Sequence, residues 1–164
     1  MKQNNLNPTD HTVEQNANSV LRVALGADHG GYHLKEAAKL YCERAGIEYI
    51  DYGCESTESV DYPVYADLVC KAIQSGPCDL GILFCGTGIG MSMAANKHKG
   101  IRAACCTDEY CTRMTRMHNN ANILCLGGRV VGEGVALELI DIFLHTPFAG
   151  ERHQRRIDMF MDAE

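Results

Sequence analysis

From residue 21 onward the chain consists of short apolar runs that alternate with segments in which apolar residues recur every three or four positions. This alternation of strand-like runs and helical spacing is typical of βαβ units and a parallel sheet. The sequence therefore predicts a single α/β domain. The five predicted strands cover residues 21–26, 47–52, 80–84, 101–105 and 122–126.

The segments that follow these runs predict six helices, most of them marked by a residue that starts or ends a helix. In the first, apolar residues recur from Leu34 at helical spacing, and Gly46 ends the helix. The other helices are predicted over residues 63–74, directly after Gly90, from the capping residue Asp108 toward His118, before Pro147, and over residues 152–161.

The first 19 residues differ from this pattern. They are polar and aperiodic, with five Asn and two Gln, and they can bury too little apolar surface to offset the entropy lost on ordering. They also lack the apolar segment of about 7–15 residues that a secretory signal needs. We therefore expect residues 1–19 to form a disordered tail and residues 20–164 to form one domain.

Composition and charge exclude several classes of protein. The nine cysteines include no C-x-x-C pair and are too few for a disulfide scaffold, so we expect reduced thiols, no zinc site and a cytoplasmic location. No apolar run approaches the ~18 residues of a membrane helix. The net charge of -6 argues against nucleic acid as a partner.

Two of the predicted strands lead into glycine-rich turns, over residues 26–31 and 85–92. In a parallel sheet both turns face the edge where ligands bind. If the strand order is 2-1-3-4-5, the first and third strands are neighbours and the turns form opposite walls of one crevice.

These turns do not match the common glycine motifs. Met91 stands where a dinucleotide fingerprint needs its third glycine and where a phosphatase loop needs arginine, and Gly31 is not followed by the lysine of a P-loop. Two interpretations remain: an anion site at the start of a helix, or a tight turn without a ligand.

Cys85 is the candidate reactive residue. It lies at the end of the third predicted strand and beside the start of a helix, a position that favours a reactive thiolate. The alternative is a buried structural thiol, as we expect for the eight other cysteines.

Two polar clusters lie elsewhere in the predicted fold. His118 and Asn119 precede the fifth strand, so within one chain they lie at the wrong edge of the sheet, unless they complete the site of a neighbouring chain. Arg152 and Arg156 are one helical turn apart, a spacing suited to holding one phosphate. The alternatives are a helix C-terminus rich in Asn and a solvated helix end whose arginines pair with acidic neighbours.

Eight short motifs, spread over about residues 21–160, occur together in one order. They are Ala27-Asp28-His29-Gly30-Gly31, Asp61-Tyr62-Pro63, Cys85-Gly86-Thr87-Gly88-Ile89-Gly90, Ala95-Asn96-Lys97, Gly100-Ile101-Arg102-Ala103, His118-Asn119, Gly128-Arg129 and Arg152-His153-Gln154-Arg155-Arg156. In this order and spacing the chain resembles type B ribose-5-phosphate isomerase. That family includes the two galactose-6-phosphate isomerase subunits and members that prefer allose 6-phosphate.

The resemblance implies a three-layer α/β/α sandwich, flavodoxin-like or Rossmann-like, with a five-stranded parallel sheet. It implies a homodimer in which each active site uses both chains, with a tetramer as the other assembly. The expected activity is the interconversion of ribose 5-phosphate and ribulose 5-phosphate in the non-oxidative branch of the pentose phosphate pathway, with no cofactor and no metal.

The resemblance also implies a role for each matching residue. Cys85 matches the base that moves a proton between C1 and C2 of the open-chain sugar, and Thr87 matches a residue that assists it. His118 matches the residue that opens the sugar ring, and Asp28 is placed to handle a hydroxyl proton. The expected binding residues are Gly86, Gly88, Ile89 and Gly90 for the enediolate, Tyr62 and Asn119 for the sugar, and His29, Arg129, Arg152 and Arg156 for the phosphate and the rest of the substrate.

Other functions remain open at this point. The substrate of an isomerase could instead be a six-carbon phosphosugar, such as allose 6-phosphate or galactose 6-phosphate. A non-catalytic flavodoxin-like module would use the glycine-rich turns to bind a flavin or a nucleotide. A thiol hydrolase built on Cys85 and His118 would form a covalent acyl adduct.

Overall fold

The computed structural model of the chain describes residues 21–161. The tail predicted over residues 1–19 lies outside this range, and the assignment of residues 20–164 to one domain stays a prediction. The described strands are β1 (Arg22–Ala27), β2 (Glu48–Asp51), β3 (Leu80–Cys85), β4 (Ala103–Cys105) and β5 (Ile123–Gly127), and the described helices are α1 (Tyr32–Ala45), α2 (Tyr62–Gln74), α3 (Ile89–Ala95), α4 (Glu109–Asn119), α5 (Glu133–His145) and α6 (Arg152–Met161).

The five strands form one parallel sheet in the order β2-β1-β3-β5-β4. The expected pairing of β1 with β3 is confirmed. The order 2-1-3-4-5 is wrong in its last two strands, because β5 lies inside the sheet and β4 lies at its edge. Every residue of β5 is buried, whereas the three residues of β4 are partly or fully exposed. A fully apolar strand is best covered between two neighbours, and a very short strand suits an edge.

Helices cover both faces of the sheet, which confirms the predicted three-layer sandwich. On one face, α5 buries Leu139 and Phe143 in the same cluster as Leu124 of β5, and α1 packs against α5. On the other face, Val69 of α2 and Met91 of α3 lie in a second cluster. Helix α4 packs against α5, and α6 packs against α4. Because both faces are covered, the inner strands β3 and β5 are apolar and buried along their whole length.

Most predicted element boundaries are correct to within one or two residues. Asp108 caps α4 as predicted, since its Oδ1 accepts the N–H of Cys111 at 2.8 Å. Gly46 follows α1 with a φ of 69°, a left-handed conformation that glycine adopts without strain. Helix α2 begins at Tyr62, one residue before Pro63. Within residues 21–161 no helix is both long enough and apolar enough to cross a membrane.

A buried ion pair fastens α1 to the carboxyl end of β2. The Lys35 side chain is 1% exposed, and its Nζ lies 2.5 Å from Oδ2 of Asp51. Oδ1 of Asp51 accepts the N–H of Gly53 at 2.9 Å, and the Gly53 carbonyl accepts the N–H of Ala27 at 2.6 Å. The ion pair therefore anchors the segment that lies against the end of β1, next to Asp28.

Candidate active site

The two glycine-rich turns meet at the carboxyl edge of the sheet, as expected. A Cβ atom on Gly30, in the turn after β1, would lie only 2.9 Å from the backbone nitrogen of Gly86, in the turn after β3. The backbones can approach this closely because Gly30 carries no side chain. The turns therefore form the adjoining walls of one crevice.

Cys85 is the last residue of β3 and is 5% exposed. Its Sγ accepts the N–H of Gly88 at 3.1 Å, so the turn folds back over the thiol. Gly88 has a φ of 79°, in the left-handed region that favours glycine. The carbonyl oxygen of Cys85 accepts the N–H of Gly128 at 2.8 Å, which ties this strand end to the loop after β5. Both interactions hold the thiol at the mouth of the crevice.

Asp28, directly after β1, is oriented by backbone donors. Its Oδ1 accepts the N–H of Gly30 at 2.8 Å and that of Gly31 at 3.1 Å. Among residues 21–161 no hydrogen bond to Oδ2 is present. The side chain is 7% exposed, so the carboxylate is held in one orientation with an oxygen available to a hydroxyl group of a ligand.

Three more of the expected side chains lie in or against the turn after β3. The Thr87 hydroxyl accepts the N–H of Ile89 at 3.3 Å. The Tyr62 ring lies against Gly90, with Cζ 3.0 Å from the position of a Cβ on that glycine. The Arg129 side chain lies over Gly86, with Nη1 3.6 Å from the corresponding position. Together these contacts place a hydroxyl, a phenol and a guanidinium around Cys85.

The backbone donors expected to hold an enediolate are not all free in this arrangement. The N–H of Gly88 is directed to the sulfur of Cys85, and the N–H of Ile89 is directed to the hydroxyl of Thr87. A ligand would therefore share these two donors with the side chains of the turn. The assignment of this hole to the enediolate stays a prediction.

His29 is held by a loop that the sequence did not connect with the site. Its Nδ1 accepts the N–H of Val60 at 3.2 Å, which assigns the proton of the neutral ring to Nε2. A cavity of about 410 Å³ lies beside this loop, lined in part by Asp51, Cys54 and Val60. Through this hydrogen bond His29 connects the turn after β1 to the loop that borders the cavity.

The remaining expected residues lie at the amino edge of the sheet, away from Cys85. The carbonyl oxygen of Asn119 accepts from Nε of Arg102 at 3.1 Å, and Arg102 directly precedes β4. His118 lies one residue before Asn119, and Arg152 and Arg156 lie on α6, which packs against α4. A single chain therefore does not bring these four residues to Cys85. The sequence predicted this position for His118 and Asn119, and it made no prediction about the edge at which Arg152 and Arg156 lie.

Two contacts of the candidate residues were missed by the sequence analysis. The ring of His153 stacks on His118, although His153 lies inside a motif for which only the arginines were assigned. Cys105 Sγ lies 3.6 Å from the carbonyl oxygen of Thr87. Its placement at the end of the fourth strand was a signal that could have found it, since that strand ends at the same edge of the sheet as this turn.

Several other thiols have the character of structural cysteines. Burial raises the pKa of Cys70 to about 12 and the pKa of Cys42 and Cys106 to about 11. Burial also raises the pKa of Cys125, and the neighbouring thiol of Cys105 adds to the effect. These thiols stay protonated and unreactive at neutral pH.

Within the part of the chain that the structure describes, no group of three or more His, Cys, Asp or Glu side chains is placed to hold a metal ion. The polar groups at the carboxyl edge are instead a thiol, a carboxylate, an imidazole, a hydroxyl and a guanidinium. Such a set suits proton transfer on a polar, negatively charged ligand.

The parallel sheet with helices on both faces makes this an open-sheet α/β protein. In this class ligands bind at the carboxyl edge, between neighbouring strands whose connections run in opposite directions. The model of the Ribose/Galactose Isomerase family matches residues 23–160. The chain belongs to this family and is an isomerase.

Similarity to individual proteins agrees with this assignment. The chain is 44% identical over 137 residues to ribose-5-phosphate isomerase B of Escherichia coli, a match that covers 84% of this chain and 92% of the relative. The structure of ribose-5-phosphate isomerase B from Clostridium thermocellum is similar with a TM-score of 0.86 at 48% identity, over 87% of this chain and 97% of that one. A ribose 5-phosphate isomerase from Thermotoga maritima is similar with a TM-score of 0.85 at 50% identity, over 87% and 98% of the two chains.

Proposed function

We propose that this isomerase interconverts ribose 5-phosphate and ribulose 5-phosphate, with Cys85 as the base that transfers the proton. The observation that carries the proposal is the position of the thiol. Cys85 lies at the carboxyl end of β3, and its sulfur accepts a hydrogen bond from the Gly88 N–H. The turn after β3 adjoins the turn after β1, which contains Asp28. The related enzymes described above are named for the same substrate.

The chemistry requires the removal of a weakly acidic proton. In the open-chain aldose, the Cys85 thiolate takes the proton from C2, and the electron pair moves to give a C1–C2 enediolate with the negative charge on the C1 oxygen. The thiol then returns a proton to C1, the proton of the C2 hydroxyl passes to the C1 oxygen, and the C2 carbonyl forms. A positioned base contributes about 10²–10⁴ in rate to such a step.

Neighbouring groups support this transfer. Oδ2 of Asp28 can accept the proton of the substrate hydroxyl, because Oδ1 is already engaged by two backbone donors. Backbone N–H groups of the turn after β3 stabilise the charge on the enediolate oxygen, and each such donor is worth about 2.7–4 kcal/mol in the transition state. Thr87 is placed to exchange a proton with the substrate or with Cys85.

The active site is proposed to be completed by a second copy of the chain. His118, Asn119, Arg152 and Arg156 lie at the amino edge, whereas Cys85 lies at the carboxyl edge. A two-fold dimer that faces the amino edge of one protomer toward the carboxyl edge of its partner joins both sets and generates two identical sites. Arg152 and Arg156 then hold the phosphate group, and His118 opens the sugar ring.

The cofactor requirement, location, assembly and pathway of the enzyme follow from the same proposal. The reaction needs no cofactor and no metal, because both proton transfers use side chains of the protein. We assign the enzyme to the cytoplasm, as a homodimer or as a tetramer made of two such dimers. Its reaction places it in the non-oxidative branch of the pentose phosphate pathway.

The first experiment measures conversion of ribose 5-phosphate to ribulose 5-phosphate by the purified, reduced protein without added metal or cofactor. Wild-type protein is expected to turn over the pentose, and Cys85→Ala is expected to lose nearly all kcat while still binding substrate, because the base is deleted and the phosphate clamp is kept.

Allose 6-phosphate serves as the second substrate in the same assay. Retention of more than about a tenth of kcat by Cys85→Ala would contradict the role of the thiol, since a general base contributes far more than this. Turnover of the hexose alone would contradict the proposed substrate and leave the proton transfer intact.

A further inference from the structure

The imidazole rings of His118 and His153 form a parallel stack between α4 and α6. Their centroids are 4.3 Å apart, and their planes differ by 5°. His118 lies in the last turn of α4 and is partly exposed, whereas His153 lies in the first turn of α6 and is 8% exposed. The buried ring therefore forms a fixed surface for the more exposed one.

A stack holds a ring by its face and leaves its edge free. Within residues 21–161 the imidazole of His118 makes no hydrogen bond, so neither ring nitrogen is occupied by the protein. In His145, by contrast, one ring nitrogen is engaged, since its Nδ1 lies 2.9 Å from the carbonyl oxygen of Asp141. A histidine that must both give and take protons benefits from the stacked arrangement, because both ring nitrogens stay available for hydrogen bonds to a ligand.

The surroundings of the stack favour the neutral form of His153. Burial lowers the pKa of His153, and the charges of His118, Arg152 and Arg156 lower it further, while Glu151 opposes them. His153 therefore stays neutral near pH 7. A neutral buried ring can stack on His118 in either of its protonation states without adding a second positive charge beside the two arginines.

We propose that His153 is a positioning residue for His118. Its ring holds the His118 imidazole in the plane needed to open the furanose ring of the sugar phosphate. In ring opening, the proton of the anomeric hydroxyl leaves, the bond between C1 and the ring oxygen breaks, and the ring oxygen gains a proton as the C1 aldehyde forms. This inference rests on the proposed function, because it assigns a role within that reaction.

Ring opening and proton transfer can be measured separately. Ribose 5-phosphate is a cyclic furanose, so its isomerisation needs both steps. Ribulose 5-phosphate is open-chain, because the hydroxyl that would close a five-membered ring onto C2 carries the phosphate. Exchange of its C1 proton with deuterium from solvent, followed by nuclear magnetic resonance, therefore reports the Cys85 step without ring opening.

The experiment compares His153→Ala, His153→Leu and His153→Phe in the full-length protein. Phe keeps a flat ring that can stack, Leu fills the space without a flat ring, and Ala removes both. The ratio of isomerisation rate to exchange rate is expected to fall about tenfold in the Ala and Leu variants, a fraction of what a complete acid–base residue contributes. His153→Phe is expected to restore this ratio to within about threefold of wild type.

His145→Ala, which removes an exposed histidine outside the site, serves as the control and is expected to leave both rates unchanged. Equal losses of isomerisation and exchange in His153→Leu would overturn the proposal, because they would indicate a general structural role. Failure of His153→Phe to restore the ratio, or a rise in KM with kcat unchanged, would also overturn it. Inactive wild-type protein would instead overturn the proposed function.

Discussion

Gly88 connects the backbone of the site to its reactive atom. Its N–H donates to Cys85 Sγ, its φ is 79°, and a Cβ at this position would lie 2.9 Å from Cys105 Sγ. Three constraints therefore meet at one residue: a donor, a left-handed backbone and a close approach. Any side chain at this position must displace the turn or Cys105.

Gly88→Ala is therefore expected to lower kcat by about 10²-fold, comparable with the loss of one donor to the reacting atoms. The reason is that the turn must shift away from Cys105 and release the sulfur. Steady-state kinetics with ribose 5-phosphate measures the effect. Gly134→Ala is the matched control, since no atom lies within 4 Å of its Cβ position, and wild-type kcat in the Gly88 variant would contradict the role of the turn.

At the scale of single residues, the sequence located Cys85 and Asp28 well, because a motif at the end of a strand fixes a residue's place in a parallel sheet. It did not locate Cys105 beside Gly88 or His153 on His118. Those contacts join positions that are distant in the chain, and no local pattern encodes their distance.

At the scale of elements, α1 is attached to the carboxyl end of β2 by charge as well as by apolar packing. Oδ2 of Asp51 lies between Nζ of Lys35 at 2.5 Å and Nζ of Lys39 at 3.0 Å. Burial alone would raise the pKa of the Asp51 carboxyl, but hydrogen bonds from Lys35, Gly53 N–H and Lys39 outweigh it and lower this pKa. The ionised carboxylate is thus favoured by folding.

Asp51→Asn is expected to reduce the free energy of unfolding by about 1–3 kcal/mol at pH 7. The loss is below that of a fully buried pair, because the Asp51 side chain is 24% exposed. Since the folded pKa is lowered, the stabilisation is complete above the unfolded pKa of about 3.9 and disappears as pH falls through the folded pKa. Urea denaturation of both proteins between pH 7 and pH 3 measures this difference.

The matched control for this measurement is Asp67→Asn, which removes an exposed ion pair with Lys71. Its effect is expected to stay below about 1 kcal/mol. If the difference between wild type and Asp51→Asn were the same at pH 3 as at pH 7, the carboxylate would not be the source of the stabilisation.

At the scale of the whole molecule, the expected site residues form two groups at opposite edges of one sheet. This separation follows from the topology, because a helix that leaves the carboxyl end of β4 must return along the sheet before β5 begins. It leads to a prediction about mixed dimers, in which each chain carries a defect in a different half of the site.

Cys85→Ala and His118→Ala, each inactive alone, are expected to regain about one quarter of wild-type activity when refolded together in equal amounts. Half of the dimers are then mixed, and each mixed dimer has one site with both residues intact. Activity assays of the refolded mixture measure the recovery.

The control mixture combines Cys85→Ala with Asp28→Asn, which are defects in the same half of the site. No mixed dimer then contains an intact site, so this mixture is expected to stay inactive. Absence of recovery with Cys85→Ala and His118→Ala, in a mixture shown to contain mixed dimers, would contradict a shared site.

The amino-acid sequence alone was sufficient to predict the elements, the parallel sheet, the pairing of β1 with β3 and the meeting of the two glycine-rich turns. These features depend on local periodicity and on motifs at strand ends, and residues close together in the chain determine both. The positions of β4 and β5 in the sheet and the contacts of Gly88 and His153 were decided only by the tertiary structure. They are set by which apolar surfaces cover one another, a competition among residues far apart in the chain.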